Sequence, residues 1–215
     1  TLGKYEFTEL DSTIANYQII ILKSDWPYTK EKISDEEKLK RLNMQTLTDT
    51  LAYLVGKGEL SWETAHLQIA QRNFLDDNIE SFDKEIAAAV DEYPFDPYPN
   101  EFAAQILINA KDFEQAYPYL KKLNALKENA FSAKWLGIID LLNHRVDSAM
   151  DYLSSSLNYN SSDSQVLYNL AGAYSIKKDY QQALQMVNRC LQIEPNYAMA
   201  KDLQRQLQNA VRFNK

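Results

Sequence analysis

Between residues 62 and 195 the apolar positions fall into short runs of helical period, separated by brief polar turns. The pattern predicts helices in antiparallel pairs: 62–74 with 78–92, 99–110 with 113–125, 130–143 with 146–158, and 164–177 with 180–193. A further helix is expected over 197–212, with Ala198, Leu203, Leu207 and Val211 inward and Lys201, Asp202, Arg205 and Gln208 toward water. Upstream, Asp11 or Ser12 can cap a helix through Lys23, with Ile14, Tyr17, Ile21 and Leu22 on its apolar side, until Trp26-Pro27 breaks it. A capping box at Ser34-Asp35-Glu36-Glu37 opens the next. Its stripe runs through Leu39, Leu42, Thr46, Leu47, Leu51, Leu54 and Val55 to Gly56-Lys57-Gly58.

Four small residues set the register of the pairs. Ala70, Ala104, Gly137 and Ala171 are spaced by 34, 33 and 34 positions. A fixed period of this length in a glycine-poor chain marks stacked helix-turn-helix units, none of which buries its apolar face alone. In the last unit the pattern continues through Leu167, Leu170-Ala171, Tyr174, Ala183, Val187, Cys190 and Pro195. The preceding units carry Leu136-Gly137, Ala149, Leu153 and Ser156; Ala103-Ala104, Ala116, Leu120 and Leu123; and Ile69-Ala70, Phe82, Ile86, Ala89 and Pro94. These offsets resemble the tetratricopeptide repeat family over about residues 62–195, the last two units most closely. The chain departs from the family's tyrosine at Asn73, Leu107 and Asp140, and from its small residue at Phe82.

The fold class expected is therefore all-α: a helix-turn-helix repeat solenoid with N-terminal helices and a C-terminal capping helix. Residues 1–60 are read as a helical segment packing on the array. Repeats follow at 63–96, 97–129, 130–163 and 164–195 within a 61–195 array, and 196–215 cap its end.

Charge narrows the partners. The chain of 215 residues has a net charge of −7. Residues 1–96 hold 19 acids against 10 bases, whereas residues 97–215 hold 11 acids against 13 bases. An acidic chain without a basic stripe repels phosphate backbones, so nucleic acid is not an expected partner. The single cysteine, Cys190, sits at a repeat position that takes a small buried side chain, and it has no partner for a disulfide. No run reaches the roughly 20 apolar residues of a membrane span. The chain begins at Thr1 without a methionine, which leaves room for an upstream segment and leaves localisation open.

Candidate chemistry is sparse. His66 and His144 lie in different repeats, and no third or fourth ligand accompanies either, so no metal or cofactor is expected. Asp140 and His144 stand four apart on one expected helix, close enough to interact; a local salt bridge or a bond to a tyrosine is favoured over acid–base chemistry. The acidic stretch from Asp76 to Asp96 has only Lys84 as counterweight and reads first as a solvated face. No phosphate loop, nucleophile elbow or zinc-protease pair is present.

The resemblance implies a non-enzymatic scaffold that binds a protein or peptide in a concave face lined by the first helix of each unit. Carried over residue by residue, that lining is Thr64, Leu67, Gln71 and Phe74; Tyr98, Glu101, Gln105 and Ile108; Phe131, Lys134, Ile138 and Leu141; and Gln165, Tyr168, Gly172 and Ser175, with Asn169 beside them. Lys134 and Asn169 match two positions of the family's carboxylate clamp, but Ile138 replaces its asparagine, so a clamp is not expected. The alternative reading is a C-terminal accessory domain of a larger multidomain enzyme or transport-system protein, exported or not, and homodimerisation through array ends is a third.

Overall fold

A computed structural model describes residues 6–8, 19–21 and 35–213. The chain divides into two compact units, Thr1–Glu85 and Ile86–Lys215. Among the described residues the fold is all-α, a helical-repeat solenoid, apart from one short strand pair.

In the first unit, β1 (Glu6–Thr8) pairs antiparallel with β2 (Ile19–Ile21), in the register Glu6 to Ile21 and Thr8 to Ile19. Extended backbone at 19–21 replaces the helix expected through Lys23. Three consecutive isoleucines are stiff at χ1 and favour a strand over a helix. The rest of that expected helix, the Trp26-Pro27 break and Ser34 of the capping box lie outside the described residues. Next come α1 (Asp35–Gly56), α2 (Trp62–Leu75) and the start of α3 (Ile79–Glu92). Leu51 of α1 packs with Ala65 and Ile69 of α2, and Met44, Leu47, Val55 and Leu60 flank them. Ser61 caps α2 by accepting the Thr64 N–H at 3.1 Å.

The second unit holds the end of α3 and then α4 (Tyr98–Asn109), α5 (Phe113–Lys127), α6 (Ala130–Leu142), α7 (Val146–Tyr159), α8 (Ser164–Ile176), α9 (Tyr180–Ile193) and α10 (Ala198–Phe213). From α4 onward each helix packs on the next, and α8 also touches α6 and α10. The small positions permit this. Ala104, Ala171, Ala116, Ala149 and Ala183 are completely buried, and Gly137 is buried with them. Around the last pairs, Leu153, Val166, Leu167, Leu170, Met186, Val187, Cys190, Ala200 and Leu207 form one core, so α10 closes it from the C-terminal side.

One local geometry recurs in step with the sequence period. Asp77, Lys111, His144 and Lys178 have φ of 59°, 63°, 59° and 63°. Each follows a first helix, and the next residue's amide reaches back to a carbonyl five positions earlier. Asn78 donates to Asn73, Asp112 to Leu107, Arg145 to Asp140, and Asp179 to Tyr174, at 2.8–2.9 Å. This is the Schellman closure of a helix end. Three of the donors then cap the second helix with their side chains: Asn78, Asp112 and Asp179 accept from Ser81, Gln115 and Gln182. A single residue thus ends one helix and starts the next, which sets the tight antiparallel turn.

Candidate functional site

The expected lining residues separate by burial. In the first unit, Leu67 is buried at 3% exposure, Phe74 packs on Phe82 with ring centroids 5.5 Å apart, and Gln71 faces water. In the second unit, Ile108 and Ile138 are buried at 6% and 9% exposure and serve the core. Accessible on α4, α6 and α8 are Tyr98 and Gln105, with Phe131, Leu141, Gln165, Tyr168 and Asn169 half-buried.

Lys134 is held in place by the residue that caps α8. Its Nζ lies 2.8 Å from Asp163 Oδ2, and both side chains are about four-fifths buried. The other oxygen of Asp163 accepts the Val166 N–H at 3.0 Å and caps α8. One carboxylate therefore starts a helix and neutralises the cation on its neighbour. Beside it the Tyr168 ring meets Tyr197, centroid to centroid 5.2 Å. Burial first, then the nearby acidic groups, pushes the Tyr197 hydroxyl above its ordinary range. Asn169 spends its amide donor on the Gln165 carbonyl in its own helix, at 2.8 Å. Tyr197 is absent from the sequence-derived lining; its only signal was an aromatic just ahead of the final helix.

Asp140 is a structural group. Its side chain is fully buried and accepts from Arg145 Nε at 2.9 Å and Nη2 at 2.5 Å, and from the Ser148 hydroxyl. The Arg145 guanidinium lies 5.0 Å from the Tyr117 ring centroid. Burial, then the Asp140 carboxylate, raises the Tyr117 hydroxyl pKa. The expected Asp140–His144 pairing does not form, because α6 ends at Leu142 and His144 turns away with φ of 59°. His66 instead meets Glu85, Nδ1 to Oε2 at 2.7 Å, beside the Trp62 ring.

The acidic stretch has more counterweights than Lys84, which pairs with Glu80 at 2.8 Å. Arg72 holds Asp76 at 2.9 Å, and His66 holds Glu85. Cys190 is buried, and burial pushes its thiol up to about 11, far from a reactive thiolate. Among the described residues, no three His, Cys, Asp or Glu side chains gather in a metal-holding group, and no helix is long and apolar enough to cross a membrane.

Residues 164–212 match the family model described as the Fis1 C-terminal tetratricopeptide repeat. A search of curated proteins by sequence finds no match. Among solved structures the chain is similar to MamA, with TM-score 0.59 and 15% identity over 70% of this chain and 88% of that one. It is also similar to YrrB, described as a TPR protein with an unusual peptide-binding site, with TM-score 0.56 and 17% identity over 78% and 89% of the two chains. A third likeness is to the APC/C hetero-tetramer Cut9-Hcn1, with TM-score 0.52 and 22% identity over 67% of this chain. There the match spans only 29% of the other chain's length. At such identities the likeness is one of fold.

Proposed function

Because the chain carries tetratricopeptide repeats, we propose that it is a non-enzymatic scaffold that binds an extended peptide along the first helices of its second unit, α4, α6 and α8. The observation that carries this reading is apolar surface left accessible on those helices. Phe131, Leu141 and Tyr168 are only half-buried, and Tyr98 is 54% exposed. Gln105 and Gln165 stand among them and offer donors and acceptors to a peptide backbone. Lys134 is already engaged by Asp163, so apolar anchors rather than a carboxylate clamp set the affinity. The likeness to YrrB, with its described peptide-binding site, supports a peptide as the ligand class. A non-enzymatic role is supported by Asp140 being locked in an ion pair and Cys190 being held protonated.

A random-peptide display library selected against the intact chain supplies the probe. Enriched peptides are expected to carry apolar anchors and to lose about tenfold or more in affinity toward Phe131→Ala and Gln105→Arg chains. Peptides that bind both variants as tightly as the parent would place the binding surface elsewhere.

A further inference from the structure

We propose that this chain associates head to tail with copies of itself, the aromatic turn Tyr93–Asp96 of one copy seating in the groove between α9 and α10 of the next. Both features belong to the second unit.

The turn is closed by hydrogen bonds and displays an apolar tip. The Asp96 N–H donates to the Tyr93 carbonyl at 3.0 Å, and the Tyr98 N–H donates to Asp96 Oδ1 at 2.8 Å. Pro94 adds a fixed φ at the turn's second position. Phe95, at the third, is 89% exposed, the most exposed large apolar side chain among the described residues, and Tyr93 beside it is 53% exposed. Single exposed apolar side chains are ordinary. Two neighbouring aromatics held outward by a hydrogen-bonded turn are a preformed anchor, and little ordering entropy is lost when they dock. Asp91 and Glu92 precede the turn, exposed and without a basic partner among the described residues.

The groove offers the complement. It is an open groove of about 530 Å³ over Leu191, Pro195 and Ala198, edged by Lys201, Asp202, Gln204 and Arg205. That volume lies within the range of about 300–1,000 Å³ typical of small-ligand sites. Arg205 faces Asp202, whereas Lys201 has no carboxylate partner among the described residues, so the rim keeps an unspent cation. An apolar floor with a cationic edge matches an aromatic turn preceded by two carboxylates.

The occupant is a second copy rather than the chain's own turn. The turn precedes the first complete helix pair of the unit and the groove follows the last, with the helices packed in sequence order between them. Charge points the same way. Asp91, Glu92 and Asp96 lie at the turn, whereas Lys201 and Arg205 lie at the groove. A tail-to-head arrangement brings opposite charges together, whereas a two-fold contact of like ends opposes them. Such a contact is heterologous, so each copy keeps one free turn and one free groove.

Sedimentation velocity on the intact chain tests this. The average mass is expected to rise with protein concentration and to fall as salt screens the charges. Phe95→Asp spoils the turn, and Lys201→Glu with Arg205→Glu spoils the groove; all three positions are exposed, and unchanged circular dichroism verifies the fold. Each variant alone is expected to remain monomeric. Mixed, the intact groove of one and the intact turn of the other should form a one-to-one dimer that grows no further. A parent chain that stays monomeric throughout, unaltered self-association in either variant, or a mixture that fails to dimerise overturns the proposal.

Discussion

Leu153 occupies the space that a side chain on Gly137 would need: its Cγ lies 2.6 Å and its Cδ2 2.9 Å from where a Cβ would stand. The Ala149 carbonyl oxygen, at 3.1 Å, closes the remaining side. Gly137→Ala improves helix propensity by about 1 kcal/mol. Overpacking against a branched carbon and a backbone oxygen costs about 1–3 kcal/mol and wins. Urea denaturation should therefore find Gly137→Ala less stable than the parent. Gly172, also inside a helix, has nothing within 4 Å of its Cβ position. Gly172→Ala should accordingly gain about 0.5–1 kcal/mol. Equal shifts for the two variants would show that the α6–α7 approach does not depend on Gly137.

The Schellman turns store strain that can be relieved. Lys178 adopts φ of 63°, a region costly for any side chain with a Cβ, whereas Lys177 beside it is ordinary at −73°. Lys178→Gly should raise the denaturation midpoint by the equivalent of up to about 1 kcal/mol, the gain from strain relief being partly offset by a more flexible unfolded chain. Lys177→Gly should lower it. A fall in both would mean that the side chain of Lys178, and not its backbone, stabilises the turn.

Much of the repeat region was legible because its determinants are local. Ser61, Asp112, Asn129, Asp163 and Asp179 all cap helices, and a capping side chain announces itself one residue before the apolar stripe begins. The variable family position at Asn73, Leu107 and Asp140 misled less than expected, because its backbone carbonyl closes the Schellman turn whatever the side chain. What periodicity could not reveal is where a helix stops without glycine. No sequence signal marks Lys111 or Lys178 as left-handed, and reading α6 through residue 143 put His144 next to Asp140 instead of Arg145. The lining was blurred for a related reason. A position facing the groove at one level of a stack faces the core at another, so Leu67, Ile108 and Ile138 are buried. The triple isoleucine at 19–21 resolved as a strand because pairing with Glu6–Thr8 is a tertiary event.

The Asp140 network predicts an order of stabilities rather than a single value. Removing Arg145 leaves a fully buried carboxylate without its cation, which is the costly way to break a pair. Asp140→Asn removes the charge, and the Arg145 head, nearly half exposed, can turn to water. Arg145→Ala should therefore lower the melting temperature more than Asp140→Asn does. The reverse order would mean that the carboxylate is better hydrated than its burial implies.

Alkaline pH should weaken the fold through buried groups that hold their protons. Burial raises the Cys190 thiol from 9.0 to about 11, and the Tyr117 and Tyr197 hydroxyls are raised for the same primary cause. Above the unfolded-state value the unfolded chain sheds protons that the folded chain retains. Stability is thus complete below about pH 9 and falls as pH rises toward about 11 for the thiol. Denaturant midpoints measured across that window should decline, and Cys190→Ser should flatten the decline. A slope that is the same in the serine variant would remove the thiol from the account.

Asp163 does two jobs, and its variants separate them. Asparagine is as good a helix cap as aspartate, so Asp163→Asn preserves the bond to the Val166 amide while discharging the partner of Lys134. Asp163→Ala loses both, and the cap alone is worth about 1 kcal/mol, within a range of about 0.5–2. Because the ion pair is four-fifths buried, leaving Lys134 unpaired should add measurably to that loss. Chemical denaturation should then rank the parent above Asp163→Asn and Asp163→Asn above Asp163→Ala. Placing Lys134→Met in the Asp163→Asn background should recover part of the loss, since an apolar chain of similar length no longer buries an unmatched charge. No recovery in that double variant would show that Asp163 stabilises this face as a cap alone, and that Lys134 is free to turn toward a bound peptide.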